Sequence, residues 1–248
     1  RTMNPALKDA LEQRLDISIL KSQGLRGGEI NDSYRMDLAD GTRLFVKTHP
    51  QAPEGMYRDE AQGLQWLAQT KSLTTPAIIA FTDTQDTAHQ FLVLEYLKSS
   101  SRQKSFDEDL GRGLAHMHRF GASCFGLDTP NYLATLVQNN SPCDTWAQFY
   151  AQRRLDAQLK IAMRKGAPLA WAAMFEKLYT RLDELVGDPE APARLHGDLW
   201  GGNLHVGAQG EPCLIDPAVY GGHREIDLAM MRLFGGFSDK VFHSYHEA

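Results

Sequence analysis

The sequence predicts an α+β protein of two lobes: a small antiparallel β lobe with one inserted helix, then a larger, mainly helical lobe. Three observations carry that prediction. After a short N-terminal helix, the first hundred residues read as strand, strand, strand, helix, strand, strand. Beyond a Ser-rich stretch at Ser99, Ser100 and Ser101, three long segments carry apolar residues at helical spacing. Past Pro189 and Pro192 the chain breaks into short apolar pieces joined by Gly-rich turns. The boundary is placed between residues 97 and 98, giving a β-rich lobe over 1–97 and a mainly helical lobe over 98–248. Two lobes of this kind place a ligand in the cleft between them.

Leu7, Leu11 and Leu15, spaced by four behind Asn4 as cap and Pro5 in the first turn, predict a helix over 4–15. Strand-like pieces follow at 17–20, 33–36 and 44–47, separated by the glycine-containing segment 24–31 and by a hairpin signal, Ala39-Asp40-Gly41. Helical spacing returns over 56–70, with Ala61, Leu64, Trp66 and Leu67 expected on the buried side. Residues 78–81 and 91–96 read as two further strands around a turn at 83–88. The large lobe is expected to hold helices over 106–120, 146–165 and 169–186, short apolar segments at 194–196, 203–206 and 212–216, and a helix over 225–234.

Length and composition bound the function. A chain of 248 residues holds one to two compact units and needs no disulfide or metal to fold. Its apolar (42%) and charged (23%) fractions are those of a globular protein, and no apolar run approaches the ~20 residues that span a bilayer. With 26 basic and 31 acidic residues the net charge is −5, which argues against a nucleic-acid polymer as partner but not against a small anionic ligand. Cys124, Cys143 and Cys213 are odd in number and form no C-x-x-C pair, so neither a zinc site nor a disulfide framework is read. The N-terminal residues carry no apolar signal core, and a cytoplasmic, monomeric protein is the expectation.

The strongest chemical signal is His196-Gly197-Asp198-Leu199-Trp200-Gly201-Gly202-Asn203. An Asp followed five positions later by an Asn has the spacing of a phosphoryl-transfer loop, H-x-D-x-x-x-x-N. One carboxylate there must sit at the attacking hydroxyl, and one amide oxygen must reach a cation across the transferred phosphoryl. Asp198 is therefore the candidate catalytic base and Asn203 a candidate Mg²⁺ ligand. Thirteen residues on, Asp216 closes a short apolar strand as the second candidate ligand. Hard cations of this type take oxygen donors and retain water, so two protein ligands suffice.

Upstream, Lys47 ends the strand Leu44-Phe45-Val46-Lys47, and Glu60 lies in the following helix. The pair would fix an ammonium where phosphates arrive; Glu54, between Pro53 and Gly55, is the less favoured partner. Gly24, Gly27 and Gly28, with Asn31 and Ser33, are read as a nucleotide-covering loop by position, although they do not spell G-x-G-x-x-G. Main-chain groups of Glu95, Tyr96 and Leu97, at the entry to the interlobe link, are candidates for the adenine edge. Trp200 either stacks on a substrate ring or packs inside. His116 and His118 diverge on a helix and are read as structural or surface residues, and His205 and His223, near the motif loops, are left open.

These residues resemble the fructosamine kinase (ketosamine-3-kinase) family, a protein-kinase-like group related to the aminoglycoside phosphotransferases. The H-G-D-x-x-x-x-N core is common to many small-molecule phosphotransferases. Leu199-Trp200 after it, Ile215-Asp216-Pro217-Ala218, and the run from Gly222 through Arg224-Glu225-Ile226-Asp227-Leu228-Ala229-Met230 to Leu233-Phe234-Gly235-Gly236-Phe237 point to this family. The resemblance implies ATP and Mg²⁺ as cofactors and a small-molecule or protein-linked ketoamine, phosphorylated on its 3-hydroxyl, as substrate. The phosphorylated adduct then releases the free amine, a deglycation repair. It also implies Asp198 as base, Asn203 and Asp216 as metal ligands, Lys47 and Glu60 as the phosphate-positioning pair, and Asp227 as a brace for the catalytic loop. Eukaryotic members commonly carry a cysteine in the glycine-rich loop; here it reads Gly28-Glu29-Ile30-Asn31, so no redox switch is expected there. Family members also continue with further helices beyond the point corresponding to Ala248, so part of the substrate wall is expected outside this chain. Two other functions fit the same machinery: phosphorylation of an aminoglycoside or amino-alcohol, and a catalytically silent nucleotide binder.

Overall fold

Asn4 caps the first helix, α1 (Pro5–Leu15), as expected: its side chain accepts the Ala6 N–H at 2.9 Å and Pro5 fills the first turn. The computed structural model describes residues 2–25, 31–83 and 89–248. Five strands follow α1: β1 (Ile19–Leu25), β2 (Asp32–Leu38), β3 (Arg43–Thr48), β4 (Ile78–Phe81) and β5 (Phe91–Glu95). They form one antiparallel sheet in the order β1-β2-β3-β5-β4. The β2–β3 hairpin turns at the predicted Asp40-Gly41, where Asp40 accepts the Thr42 N–H at 2.8 Å.

Period two decides what each strand offers to each face. Tyr34, Met36 and Leu38 of β2, Leu44 and Val46 of β3, and Phe91 and Val93 of β5 pack under α1 with Leu7 and Leu11. The alternate residues Phe45, Leu92 and Leu94 meet the other helix, α2 (Met56–Ala68), through Ala61 and Leu64. Lys47 shares this second parity, so its position in β3 alone aims it at the α2 face. Trp66, expected on the buried side of α2, is only half-buried, its ring lying 4.2 Å from the Arg194 guanidinium.

Residues 96–105 lead into the helical lobe. Its first helix, α3 (Phe106–Phe120), buries Leu110, Leu114 and Met117 against Val241, Phe242 and Tyr245 of the last helix, α9 (Asp239–Glu247). Between them run the short hairpin β6 (Asn131–Leu133) and β7 (Leu136–Gln138), then α4 (Trp146–Phe149) and α5 (Asp156–Arg164). The expected single helix over 146–165 is continuous but passes through a wide π-turn at Tyr150–Leu155. The expected helix over 169–186 is instead two pieces, α6 (Ala170–Tyr179) and α7 (Leu182–Leu185). The chain leaves helical geometry at Arg181, just after the Thr180 hydroxyl donates back to the Lys177 carbonyl at 2.9 Å.

Strand β8 (Ala193–Leu195) pairs with β11 (Tyr220–Gly222), and β9 (Leu204–Val206) pairs with β10 (Pro212–Leu214). Helix α8 (Glu225–Phe234) matches its expected span. Leu199, Leu214, Leu228 and Met231 all enter the core shared by α3 and α9, which anchors the loops described next from beneath. No helix among the described residues is long and apolar enough to cross a membrane.

Candidate active site

The loop after β8 turns at Gly197, whose φ of 82° lies in the left-handed region and where a Cβ would overlap the Ala218 carbonyl. Two backbone N–H groups of this turn, which would otherwise be buried without partners, point at one carboxylate. Asp227, in the first turn of α8, accepts from His196 N at 2.8 Å and from Gly197 N at 2.9 Å. His118 of α3 adds a third contact, Nε2 to Asp227 Oδ2 at 3.1 Å, and its Nδ1 meets the Tyr245 hydroxyl of α9 at 2.7 Å. Burial opposes the Asp227 charge, but the His118 hydrogen bond and the neighbouring donors outweigh it and hold its pKa below the usual carboxylate range.

His196 is fully buried, and burial lowers its pKa and keeps the ring neutral. Its Nδ1 accepts the Asp198 N–H at 3.2 Å, so Nε2–H donates to the Ile215 carbonyl at 2.9 Å. One ring thus ties the Asp198 loop to the Asp216 loop. Asn203 makes a second tie: its Nδ2 donates to Asp198 Oδ2 at 3.0 Å and to the Asp198 carbonyl at 2.8 Å, and reaches the Asp216 carbonyl at 3.4 Å. Burial pushes the Asp198 carboxyl up from its ordinary value, against the Asn203 hydrogen bond.

Asp216 is one of the few non-glycine residues at positive φ, 53°. Such a conformation costs on the order of 1–2 kcal/mol for an L-residue and persists only when surrounding contacts enforce it. Its Oδ1 lies 3.1 Å from Lys47 Nζ, across from the small lobe. Lys47 Nζ also donates to both carboxylate oxygens of Glu60, each at 2.9 Å, so the predicted partner is the observed one. One buried ammonium therefore faces two carboxylates. Burial alone would lower the Lys47 pKa, but Asp216 and Glu60 together hold it above its ordinary value. Glu60 is pushed up to about 7, by burial first and by the Asp216 charge as well, against the pull of Lys47. Asp198, Asn203, Asp216, Lys47 and Glu60 thus form one chain of contacts, no link longer than 3.4 Å.

The remaining sequence candidates are less uniform. Ser33 pairs with Lys47 in register and so shares its face, and Asn31 accepts the Tyr57 hydroxyl at 3.1 Å. Gly24 lies inside β1, paired with Tyr34, rather than in a covering loop. Gly27 and Gly28 lie outside the described residues. At the end of β5, the Glu95 N–H donates to the Ala77 carbonyl at 2.9 Å and its Oε1 accepts the Ala77 N–H at 2.9 Å. Tyr96 lies 5.9 Å from the Arg35 guanidinium. The Leu97 carbonyl meets His205 Nε2 at 3.0 Å. Trp200 is 43% exposed beside Phe234, ring centroids 6.4 Å apart, so it is not packed inside. His223 accepts the Glu225 N–H at 3.2 Å at the start of α8. The sequence reading missed the brace of His118 and Tyr245, which lie 127 residues apart, and no local pattern marks them.

The fructosamine kinase family model matches residues 2–248. The chain belongs to that family. It is 36% identical over 231 residues to a Synechocystis protein named as a probable ketoamine kinase, covering 92% of this chain and 76% of the relative. A protein of the same name in Escherichia coli K12 is 33% identical over 223 residues, covering 89% and 76%. The crystal structure of a Thermobifida fusca protein assigned as fructosamine-3-kinase superposes with a TM-score of 0.86 at 35% identity, covering 99% of this chain and 84% of that one. A macrolide 2'-phosphotransferase of Brachybacterium faecium, at 16% identity and a TM-score of 0.61, shares the fold. The fold is that of the protein-kinase-like phosphotransferases, as the sequence predicts, and the enzyme class is kinase.

Proposed function

We propose that this kinase transfers the γ-phosphoryl group of ATP, with Mg²⁺, to the 3-hydroxyl of a ketosamine of fructosamine or ribulosamine type, free or protein-linked. The observation that carries the reading is the unbroken contact chain from Asp198 through Asn203 and Asp216 to Lys47 and Glu60. The relatives named as ketoamine kinases supply the substrate class.

The donor set suits the metal. Asn203 commits its Nδ2 to Asp198 and to the Asp216 main-chain carbonyl, which makes its amide oxygen, with the Asp216 carboxylate, the oxygen donor offered to the ion. Among the described residues no group of three or more His, Cys, Asp or Glu forms an all-protein cage. Two oxygen donors completed by phosphates and water are what Mg²⁺ requires. When bound, the ion supplies charge neutralisation at the phosphates.

The chain's own residues do the rest. Asp198 orients the acceptor hydroxyl and takes its proton as the new O–P bond forms and the bond to the ADP leaving group breaks. Asn203 holds Asp198 Oδ2, which leaves Oδ1 for that proton. Lys47, fixed by Glu60, balances phosphate charge. Such chemistry depends mainly on positioning and on preorganised charge.

The test is product analysis. With Mg·ATP and a panel of fructosyl-amines, ribulosyl-amines and aminoglycosides, mass spectrometry is expected to find ADP and a phosphate on the ketoamine. Phosphate on the aminoglycosides alone, or nucleotide binding with no acceptor turned over, overturns the reading.

A further inference from the structure

The interlobe link is stitched to the large lobe along one seam. His205 Nε2 meets the Leu97 carbonyl at 3.0 Å and the Ser99 hydroxyl at 3.3 Å. The Ser100 hydroxyl donates to the Gly207 carbonyl at 2.7 Å, and Gln103 N donates to the Gly210 carbonyl at 3.0 Å. Gly210 has a φ of 88°, and a Cβ there would stand 2.6 Å from Ser101 O and Gln103 N. The seam therefore admits the link only in close contact with β9 and the turn that follows it.

His205 is the only large-lobe side chain among these contacts. It lies in β9 two residues after Asn203, whose amide holds Asp198. A single side chain thus joins the segment carrying Asp198 and Asn203 to the carbonyl of Leu97, a link residue read as a candidate for the adenine edge. The Leu97 carbonyl accepts from one donor, and that donor comes from the strand leading out of the catalytic loop.

We propose that His205 is a positioning residue for the nucleotide: its hydrogen bond to Leu97 sets the link against the catalytic loop and so places the base relative to the phosphate-binding residues. This rests on the ATP reading above. Removing the donor leaves every phosphate-contacting side chain intact, so the loss falls on nucleotide affinity and on KM for ATP more than on kcat. Gln keeps an N–H donor on a side chain of similar reach, whereas Ala keeps none.

Calorimetric titration of Mg·AMP-PNP into wild type, His205→Ala and His205→Gln tests this, with melting temperatures recorded without nucleotide. His205→Ala is expected to bind about fivefold to tenfold more weakly, the weight of one hydrogen bond, with most of the loss recovered in His205→Gln. Equal binding by all three proteins overturns the role of His205, as does equal weakening in both variants, which would assign the effect to ring packing. Loss of cooperative melting in both variants also overturns it, since the residue would then act in folding. A wild type that binds no Mg·AMP-PNP overturns the ATP reading itself, a result distinct from the others.

Discussion

The loop carrying Asp198 and Asn203 and the segment of α6 and α7 belong to the same lobe, yet their side chains are held in opposite ways. In the first, Asp227, His196, Asn203 and Leu199 are all buried, and Asp227, His196 and Asn203 each reach a partner on another segment. In the second, α6 buries none of its residues, and Leu169 and Met174 are 84% and 65% exposed. The contrast separates two uses of apolar and polar residues. Around the catalytic loop, apolar residues such as Leu199 and Leu214 anchor the loops from below, while convergent hydrogen bonds fix the functional groups above. Along α6, no residue is buried and none belongs to the clusters that hold the Asp198 loop.

The largest expected effect sits at the loop. Asp198→Asn keeps the shape of the side chain and removes the proton acceptor, so kcat should fall by about 10³-fold in a coupled ADP assay while the melting temperature holds. Asp227→Ala strips the acceptor from three buried donors and should cost about 3–5 kcal/mol in urea denaturation, with the loss of the catalytic loop's order following from it. Glu60→Gln leaves Lys47 with Asp216 as its one carboxylate partner and should raise KM for ATP by about tenfold. At the other end of the comparison, Met174→Lys on α6 should change stability by less than about 0.5 kcal/mol and leave kcat/KM intact.

A pH series sharpens the same contrast. The folded-state pKa of Asp227 lies below its unfolded value, so its contribution is present above the unfolded pKa of about 3.9 and is lost as pH falls through the folded value. Wild-type stability should therefore decline below about pH 4, and Asp227→Asn should flatten that acid limb. An unchanged limb in the variant would place the acid sensitivity elsewhere.

Much of the site was readable before any coordinates because its signals are local. Asp198 and Asn203 occupy one loop at a spacing that one turn can satisfy. Lys47 faces α2 because Leu44 and Val46 take the other face of the same strand, and Glu60 follows on the helix that covers that face. What was not readable depends on long-range closure. Tyr245 supports His118 only because α9 packs along α3, and the amphipathic spacing of α9 resembles that of any surface helix. Main-chain groups of Leu97 are candidates for the adenine edge, and nothing in the sequence shows that a histidine 108 residues away meets the carbonyl among them. The break at Thr180 and Arg181 escaped notice because apolar spacing continues across it. The three-residue strands β6, β7 and β11 are too short to show a period.

The central claim is that both lobes supply one nucleotide site, and equilibrium binding of Mg·AMP-PNP to four proteins tests it most directly. Wild type and Asp198→Asn should bind with the same Kd, whereas Asp216→Ala and Lys47→Met should each lose most of the affinity. If all four bind alike, these residues do not converge on a shared triphosphate and the account is contradicted.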